Sequence, residues 1–446
     1  MSAPLREALD NGPMTRFQWT AIGVCVLLNT LDGFDVLVMA FTGKTVSSEW
    51  NLNSGTLGLL LSCGLIGMAV GALLVAPWAD RIGRKPVILG GLALAAAGML
   101  LSAASQNWQQ LGLLRIITGI GIGAVLASSN VIAGEFASRR WRGLAVSLNS
   151  TGYAVGATVG GLASVTLIDH FGWHSVFLAG GIATVVVIPV VMFLLPESLD
   201  FLITQRPPGA LSRINNLARR MGHAELDSLP PAAAAHRLGA GFRLLLAPGL
   251  RRVTLVLWSA FFLVMAAFYF VTSWTPTLLV EAGLSSTQGL TGGTLLNLGG
   301  MFGTALLGVL AARYALVKVN RGYLFASGLL VVAFAVSTEN LALAFGFGAV
   351  VGVAVNGCIA GLYALTPAIY DTRLRATGVG AAISVGRVGA IVAPTAAGWL
   401  LDAGWTPHAL YIAVGVIFAT AGLLLFFMQS GSRPAVTTAD QAAATM

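Results

Sequence analysis

The sequence predicts an all-α membrane protein with twelve transmembrane helices in two six-helix bundles, and three observations carry that prediction. Of the 446 residues, 56% are hydrophobic and only 9% charged, a balance too apolar for a soluble protein of this length. Twelve apolar runs are long enough to cross a ~30 Å hydrocarbon layer at 1.5 Å per residue. The chain also resembles itself at a fixed offset: Gly71-Ala-Leu-Leu-Val-Ala-Pro-Trp-Ala-Asp-Arg81 parallels the segment Gly303 to Arg313, and 303 − 71 = 232.

The first six runs begin near residues 17, 54, 86, 109, 144 and 174, which assigns residues 1–195 to an N-terminal bundle. A polar stretch from Pro196 to Pro248, with Arg206-Pro-Pro-Gly, Arg219-Arg220 and Pro230-Pro231, reads as a linker over residues 196–250. Six further runs begin near 251, 288, 321, 340, 376 and 407, assigning residues 251–446 to a C-terminal bundle with a short tail. Glu7 and Asp10 precede the first run and no small-residue cleavage site follows it, so it reads as a retained span rather than a signal peptide.

Orientation follows from the 25 Lys and Arg, because short cytoplasmic loops accumulate positive charge. Lys44 alone falls on one side, Arg115 and Arg387 fall inside spans, and the remaining 25 − 3 = 22 fall on the side of both termini and the linker. Both termini are therefore expected in the cytoplasm. The net charge of +8 then reflects topology, and no nucleic-acid partner is expected. Cys25, Cys63 and Cys358 lie within spans at no metal-ligand spacing, and neither metal nor cofactor is expected.

The repeat implies two bundles related by an axis along the membrane normal, with a substrate site between them near the midplane. A second match supports it: Arg139 to Asp169 parallels Leu374 to Asp402, each followed by Trp173 or Trp405. The repeat breaks where charge is concerned. Asp32 and Asp35 correspond roughly to Met265 and Phe268, Asp80 to Ala312, and Arg387 to Ala154. Carboxylates thus belong to the first bundle and a deep guanidinium to the second.

Asp32 and Asp35 sit inside an apolar segment from about Phe17 to Gly43. An acid in hydrocarbon costs several kcal/mol unless paired, protonated or facing water, so it reads as a functional site, here for proton-linked transport. Asp35 and Arg115 come out at ~12 and ~10 Å below the outer surface, so they can meet. The two acids share a helix face at i,i+3 and titrate as a coupled pair. One pairs with Arg115, and the one farther from that cation carries the proton. Arg387 lies twelve residues beyond Arg375, ~18 Å into its span. No acid of its own bundle matches that depth, and a planar carboxylate held bidentately would offset its cost. Phe34, Tyr153, Tyr269, Trp274 and Phe302 are candidate ring walls, with Asn130, Asn297 and Asn356 as polar contacts.

The loop Ala79-Asp80-Arg81-Ile82-Gly83-Arg84-Lys85 embeds an acid among bases, and a second loop reads Glu135-Phe-Ala-Ser-Arg139-Arg140-Trp-Arg142-Gly143. Asp80, Arg81 and Arg84 are expected to latch the cytoplasmic face, with Glu135 and Arg142 as partners. Gly152, Gly156, Gly160 and Gly161 share a helix face at small-residue spacing, which favours close packing.

With the repeat, these two loops resemble the major facilitator superfamily over essentially the whole chain. Asp32-Gly-Phe-Asp35, Pro196-Glu-Ser-Leu-Asp-Phe-Leu, Ser273-Trp-Thr-Pro-Thr-Leu-Leu279 and Gly386-Arg-Val-Gly-Ala-Ile391 narrow the likeness to its aromatic acid:proton symporters. The resemblance implies a major facilitator fold and proton-driven uptake of a small aromatic carboxylate through a bacterial inner membrane. Ala76 replaces the family's usual Gly and Ala312 its second-half acid, which implies looser packing of spans 2 and 11 and one weaker latch. The partners expected are the aromatic acid, protons and the lipid bilayer, with the chain a monomer. The rivals are a same-fold carrier of a non-aromatic organic acid and a proton-coupled exporter. A membrane enzyme is disfavoured because none of the five histidines lies mid-span, and a channel because no pore loop is present.

Overall fold

The computed structural model describes residues 8–229, 243–337, 341–370 and 374–428. Among these, twelve helices are long and apolar enough to cross a membrane. The first six are α1 (Arg16–Trp50), α2 (Ser54–Ile82), α3 (Arg84–Ser102), α4 (Trp108–Phe136), α5 (Arg142–Phe171) and α6 (His174–Leu194). The second six are α7 (Arg251–Glu281), α8 (Ser286–Arg313), α9 (Leu316–Ser337), α10 (Leu341–Ile369), α11 (Arg375–Asp402) and α12 (Pro407–Leu424). The start furthest from its expected position is that of α9, and 321 − 316 = 5 residues separate the two.

Local chemistry sets several of these starts. Thr15 before α1 and Ser285 before α8 each form a capping box with a Gln three residues on, and Asn53, Asn107 and Thr406 cap α2, α4 and α12. Asn51 takes a left-handed conformation, φ 51°, to turn the chain from α1 into α2. Helix α2 is not uniform: a wide turn over Gly71–Val75 and a tight one over Ala76–Trp78 interrupt it where Pro77 removes a backbone donor. Two short helices, Leu199–Gln205 and Ala210–Arg220, follow α6.

Packing reproduces the repeat. In the first six, α1 packs on α5, α2 on α4, and α3 on both α4 and α6; in the second six, α7 packs on α11, α8 on α10, and α9 on both α10 and α12. The offset of the helix starts, 286 − 54 = 232 for α8 against α2, matches the sequence repeat. The two sets meet through α2 against α11 and α5 against α8, which are the same contact with the halves exchanged.

Glycine permits the closest approaches. A Cβ at Gly156 would lie 1.8 Å from the Thr30 carbonyl, and at Gly160 2.2 Å from Phe34, so the α5 glycine stripe is the surface on which α1 lies. Between the sets, a Cβ at Gly58 would lie 2.4 Å from the Pro394 carbonyl and one at Gly398 2.2 Å from that of Ser54. Ala76 therefore sits away from the tight part of the α2–α11 seam, which lies near the start of α2.

Loops at one end of the spans, the linker face, carry residues 195–229 and 243–250, and those at the other, the distal face, include 51–53 and 403–406. The polar contacts between the two sets described here lie toward the distal face. Asp402 at the end of α11 accepts hydrogen bonds from the backbone N–H of Ser54 (2.9 Å) and Gly55 (2.8 Å), where the start of α2 exposes unpaired donors. Ser62 donates to the Ile391 carbonyl at 2.7 Å, and Thr395 donates to Ser62 at 2.8 Å. Lys44 pairs with Glu281 at 3.5 Å, and Thr287 donates to Asp169 at 3.2 Å.

Candidate functional site between the two bundles

The length of α1 places Asp32 and Asp35 mid-helix, and each is 6% exposed. Gly33 sets what surrounds them: a Cβ there would lie 1.9 Å from the Tyr153 carbonyl, so α1 and α5 touch backbone to backbone beside Asp32. Among the described residues, Oδ1 of each acid is buried without a hydrogen-bond partner. Buried carboxylate oxygens left this way are costly unless the acid is neutral or water reaches it.

Arg115 and Asp35 are electrostatically coupled, as their similar depth predicts. The expected ion pair is not formed, however. The Arg115 guanidinium donates instead to Met99 Sδ (2.9 Å), Ser102 Oγ (3.2 Å) and Thr118 Oγ1 (3.0 Å), and it stacks over the Phe177 ring at 4.8 Å. These neutral partners hold the guanidinium through Nη2 without contacting the acid, while its Nε is buried with no hydrogen-bond partner among the described residues, so coupling to Asp35 acts through space.

Asp32 has a different counter-charge. The Arg387 cation of α11 acts on it across the interface between the two sets, and it also acts on Tyr153, Tyr269 and Tyr363. Arg387 makes no hydrogen bond or ion pair among the described residues. It borders a cavity of about 40 Å³ with Leu65, Met265, Tyr269, Tyr363, Ala390 and Ile391. That space has room for no more than a few waters and is far below the ~300 Å³ of a formed small-molecule pocket. A larger hollow of about 490 Å³ lies at the linker face beside Asp10, Trp19, Arg140 and Trp141, away from these charges.

The structure divides the expected wall residues. Tyr269 lines the Arg387 cavity and Tyr153 stands close by, whereas Phe34 packs into α5 and α6 against Gly160 and Gly180. Trp274 is fully buried and donates to the Pro394 carbonyl at 3.0 Å, tying α7 to α11. Phe302 is 64% exposed and forms an apolar stripe on α8 with Leu298, Leu306 and Val309. The amides are also occupied. Asn297 donates to Gly293 at 2.9 Å, Asn356 donates to Gly352 at 3.1 Å and packs on Gly300, and Asn130 accepts from Asn149. Each of these is satisfied within its own bundle, which leaves packing as its observed work.

The linker-face latch also differs from expectation in its partners. Arg84, not Asp80, is its centre, pairing with Glu135 at 3.0 Å and with the largely exposed Asp80 at 3.5 Å. Arg142 pairs with Asp10 rather than with Asp80, while Arg81 is exposed. Ser198 donates to Glu135 at 3.0 Å, and Glu197 accepts from the backbone N–H of Arg84 at 2.8 Å, capping α3. Glu197, Ser198 and Tyr363 were not foreseen as site residues. The Pro196-Glu-Ser motif was a signal for the first two; Tyr363, one aromatic among many in spans, had none.

Comparison with known proteins gives a consistent likeness. The family model described as Major Facilitator Superfamily matches residues 23–342. The gallate transporter of Pseudomonas putida is 33% identical over 430 residues, covering 95% of this chain and 95% of the relative. The 4-hydroxybenzoate transporter of Acinetobacter baylyi is 32% identical, covering 96% and 94%, and the 3-(3-hydroxy-phenyl)propionate transporter of Escherichia coli is 32% identical, covering 92% and 93%. The named relatives are transporters rather than enzymes. In fold, the chain is similar to a D-xylose-proton symporter, TM-score 0.70 at 18% identity over 92% of this chain and 97% of that one.

Proposed function

The chain belongs to the major facilitator superfamily, and from that premise we propose that it imports a small aromatic carboxylate, of the benzoate or hydroxybenzoate type, together with protons by alternating access. The electrostatic coupling of Asp32 on α1 to Arg387 on α11, a cation that makes no hydrogen bond or ion pair among the described residues and borders a cavity between the two sets, is the observation that carries this reading. In the empty carrier Asp32 is the counter-charge of Arg387. Protonation of Asp32 removes its opposing charge from across the cleft, and the substrate carboxylate then supplies the counter-charge to the guanidinium through two parallel hydrogen bonds. Proton and anion then bind as one neutral step, so each favours the other by linkage. Tyr269 and Tyr363 flank the ring, and Asp35 with Arg115 supports the site from within the first bundle.

The linker face is read as cytoplasmic, since 18 of the 21 Lys and Arg among the described residues lie there. That puts both termini in the cytoplasm of a bacterial cell whose inner membrane holds the carrier, acting as a monomer of two bundles, 1–195 and 251–446, joined by residues 196–250. The names of the relatives support an aromatic acid as substrate. The test uses purified protein in vesicles: an inward-directed proton gradient should concentrate a radiolabelled aromatic acid, and a protonophore should abolish the accumulation. Accumulation under an outward-directed gradient instead would establish antiport and overturn the reading.

A further inference from the structure

Tyr153 presents a hydroxyl that packing does not explain. It is buried and has no hydrogen-bond partner among the described residues, and the same holds for Oδ1 of Asp32. The contact of Gly33 with the Tyr153 backbone sets the two residues at one level. Tyr153 is also electrostatically coupled to Tyr269 and Arg387 of the other bundle. The repeat states the same relation independently. Helices α5 and α11 are mates with starts 375 − 142 = 233 apart, and 387 − 153 = 234, so Tyr153 and Arg387 stand one residue, ~1.5 Å along the helix, from equivalent positions. One mate offers a cation and the other a phenol, at the same depth on opposite sides of the cleft.

We propose that Tyr153 and Asp32 together bind a ring hydroxyl of the substrate, on the edge remote from its carboxylate, so that the preferred cargo is a meta- or para-hydroxylated aromatic acid. The inference rests on Arg387 holding the carboxylate. A ring hydroxyl both donates and accepts: it accepts from the Tyr153 O–H and donates to Asp32, which keeps an acceptor oxygen in either protonation state. Benzoate would bury both groups unpaired. An ortho-hydroxyl turns back on its own carboxylate and cannot reach across the cleft. Sites built to bond a substrate hydroxyl reject the analogue lacking it far more strongly than apolar pockets discriminate size.

Competition binding on the reconstituted full chain with 4-hydroxybenzoate, 2-hydroxybenzoate and benzoate tests this. The native protein should prefer the para isomer over both others by about tenfold or more, the cost of leaving a buried polar group unpaired. In Tyr153→Phe that ratio should collapse to within about twofold. Equal affinity for all three acids in the native protein overturns the proposal, as does a variant that weakens all three by the same factor. The native series decides the matter even if the variant fails to fold. Should the native chain bind aliphatic acids and no aromatic one, the functional reading itself falls, an outcome distinct from a mere loss of hydroxyl preference.

Discussion

At the residue scale, Asp32 and Asp35 differ through their neighbours, and the difference predicts separable phenotypes. Asp32→Asn removes the proton site facing Arg387, so accumulation under a proton gradient should fall to the equilibrium level while exchange of labelled for unlabelled substrate persists. Asp35→Asn takes away the charge coupled to Arg115 but leaves that guanidinium its bonds to Ser102 and Thr118, so the protein should still insert while both uptake and exchange drop. Exchange lost in the first and kept in the second would reverse the assignment. Arg387→Lys keeps the charge and loses the planar fork. It should weaken substrate binding by roughly 1.5–3 kcal/mol, about 10- to 150-fold, read by calorimetric titration. The acids and both arginines within spans were legible because charge in hydrocarbon is conspicuous. What the depth argument missed was the choice of partner: Ser102 and Thr118 are ordinary span residues in sequence, and only packing brings them to Arg115. Trp274 was misread for a related reason, since its indole N–H had a backbone partner, Pro394, that no sequence pattern reveals.

At the scale of elements, the glycines of α5 were legible as a packing face and the structure gives them a specific partner, α1. A side chain at Gly156 has nowhere to go, with the Thr30 carbonyl 1.8 Å from the position of a Cβ. Gly156→Val should therefore separate α1 from α5 and cost about 1–3 kcal/mol or more by overpacking, lowering the melting temperature of the detergent-solubilised protein by several degrees. Gly90→Ala on α3 is the control, since nothing lies within 4 Å of its Cβ position. It should leave the melting temperature equal or slightly raised, given the better helix propensity of Ala. If the two variants melt alike, close α1–α5 contact is not what the stripe provides. The spans themselves were readable from hydropathy, length and caps. The interruption of α2 over Gly71–Trp78 was not, because Pro77 marks a break without saying that a wide turn precedes it.

At the scale of the whole molecule, the repeat predicted the architecture: each helix finds in the other half a mate that makes the same contacts, and even the seams α2–α11 and α5–α8 exchange under it. Conformation, by contrast, is a property of the assembled halves. The Arg84–Asp80, Arg84–Glu135 and Arg142–Asp10 pairs join segments of one bundle, whereas Asp402, Ser62, Thr395, Lys44 and Asp169 bond across the cleft at the distal face. Opening that face must break them, and Asp402 has the most to lose because its two bonds cap the start of α2. The mate, Asp169, accepts one from the Thr287 side chain. A lost cap is worth about 1 kcal/mol, so Asp402→Ala should raise the distal-open population about fivefold, and Asp169→Ala should raise it less. A cysteine at Ser62, which is 1% exposed within the α2–α11 seam, reports this through its rate of labelling by a membrane-impermeant thiol reagent. Faster labelling in Asp402→Ala, slowed again by substrate that draws the halves together, would tie the distal seam to transport. An unchanged rate would reduce Asp402 to a local cap and leave closure to the apolar contacts around Gly58 and Gly398.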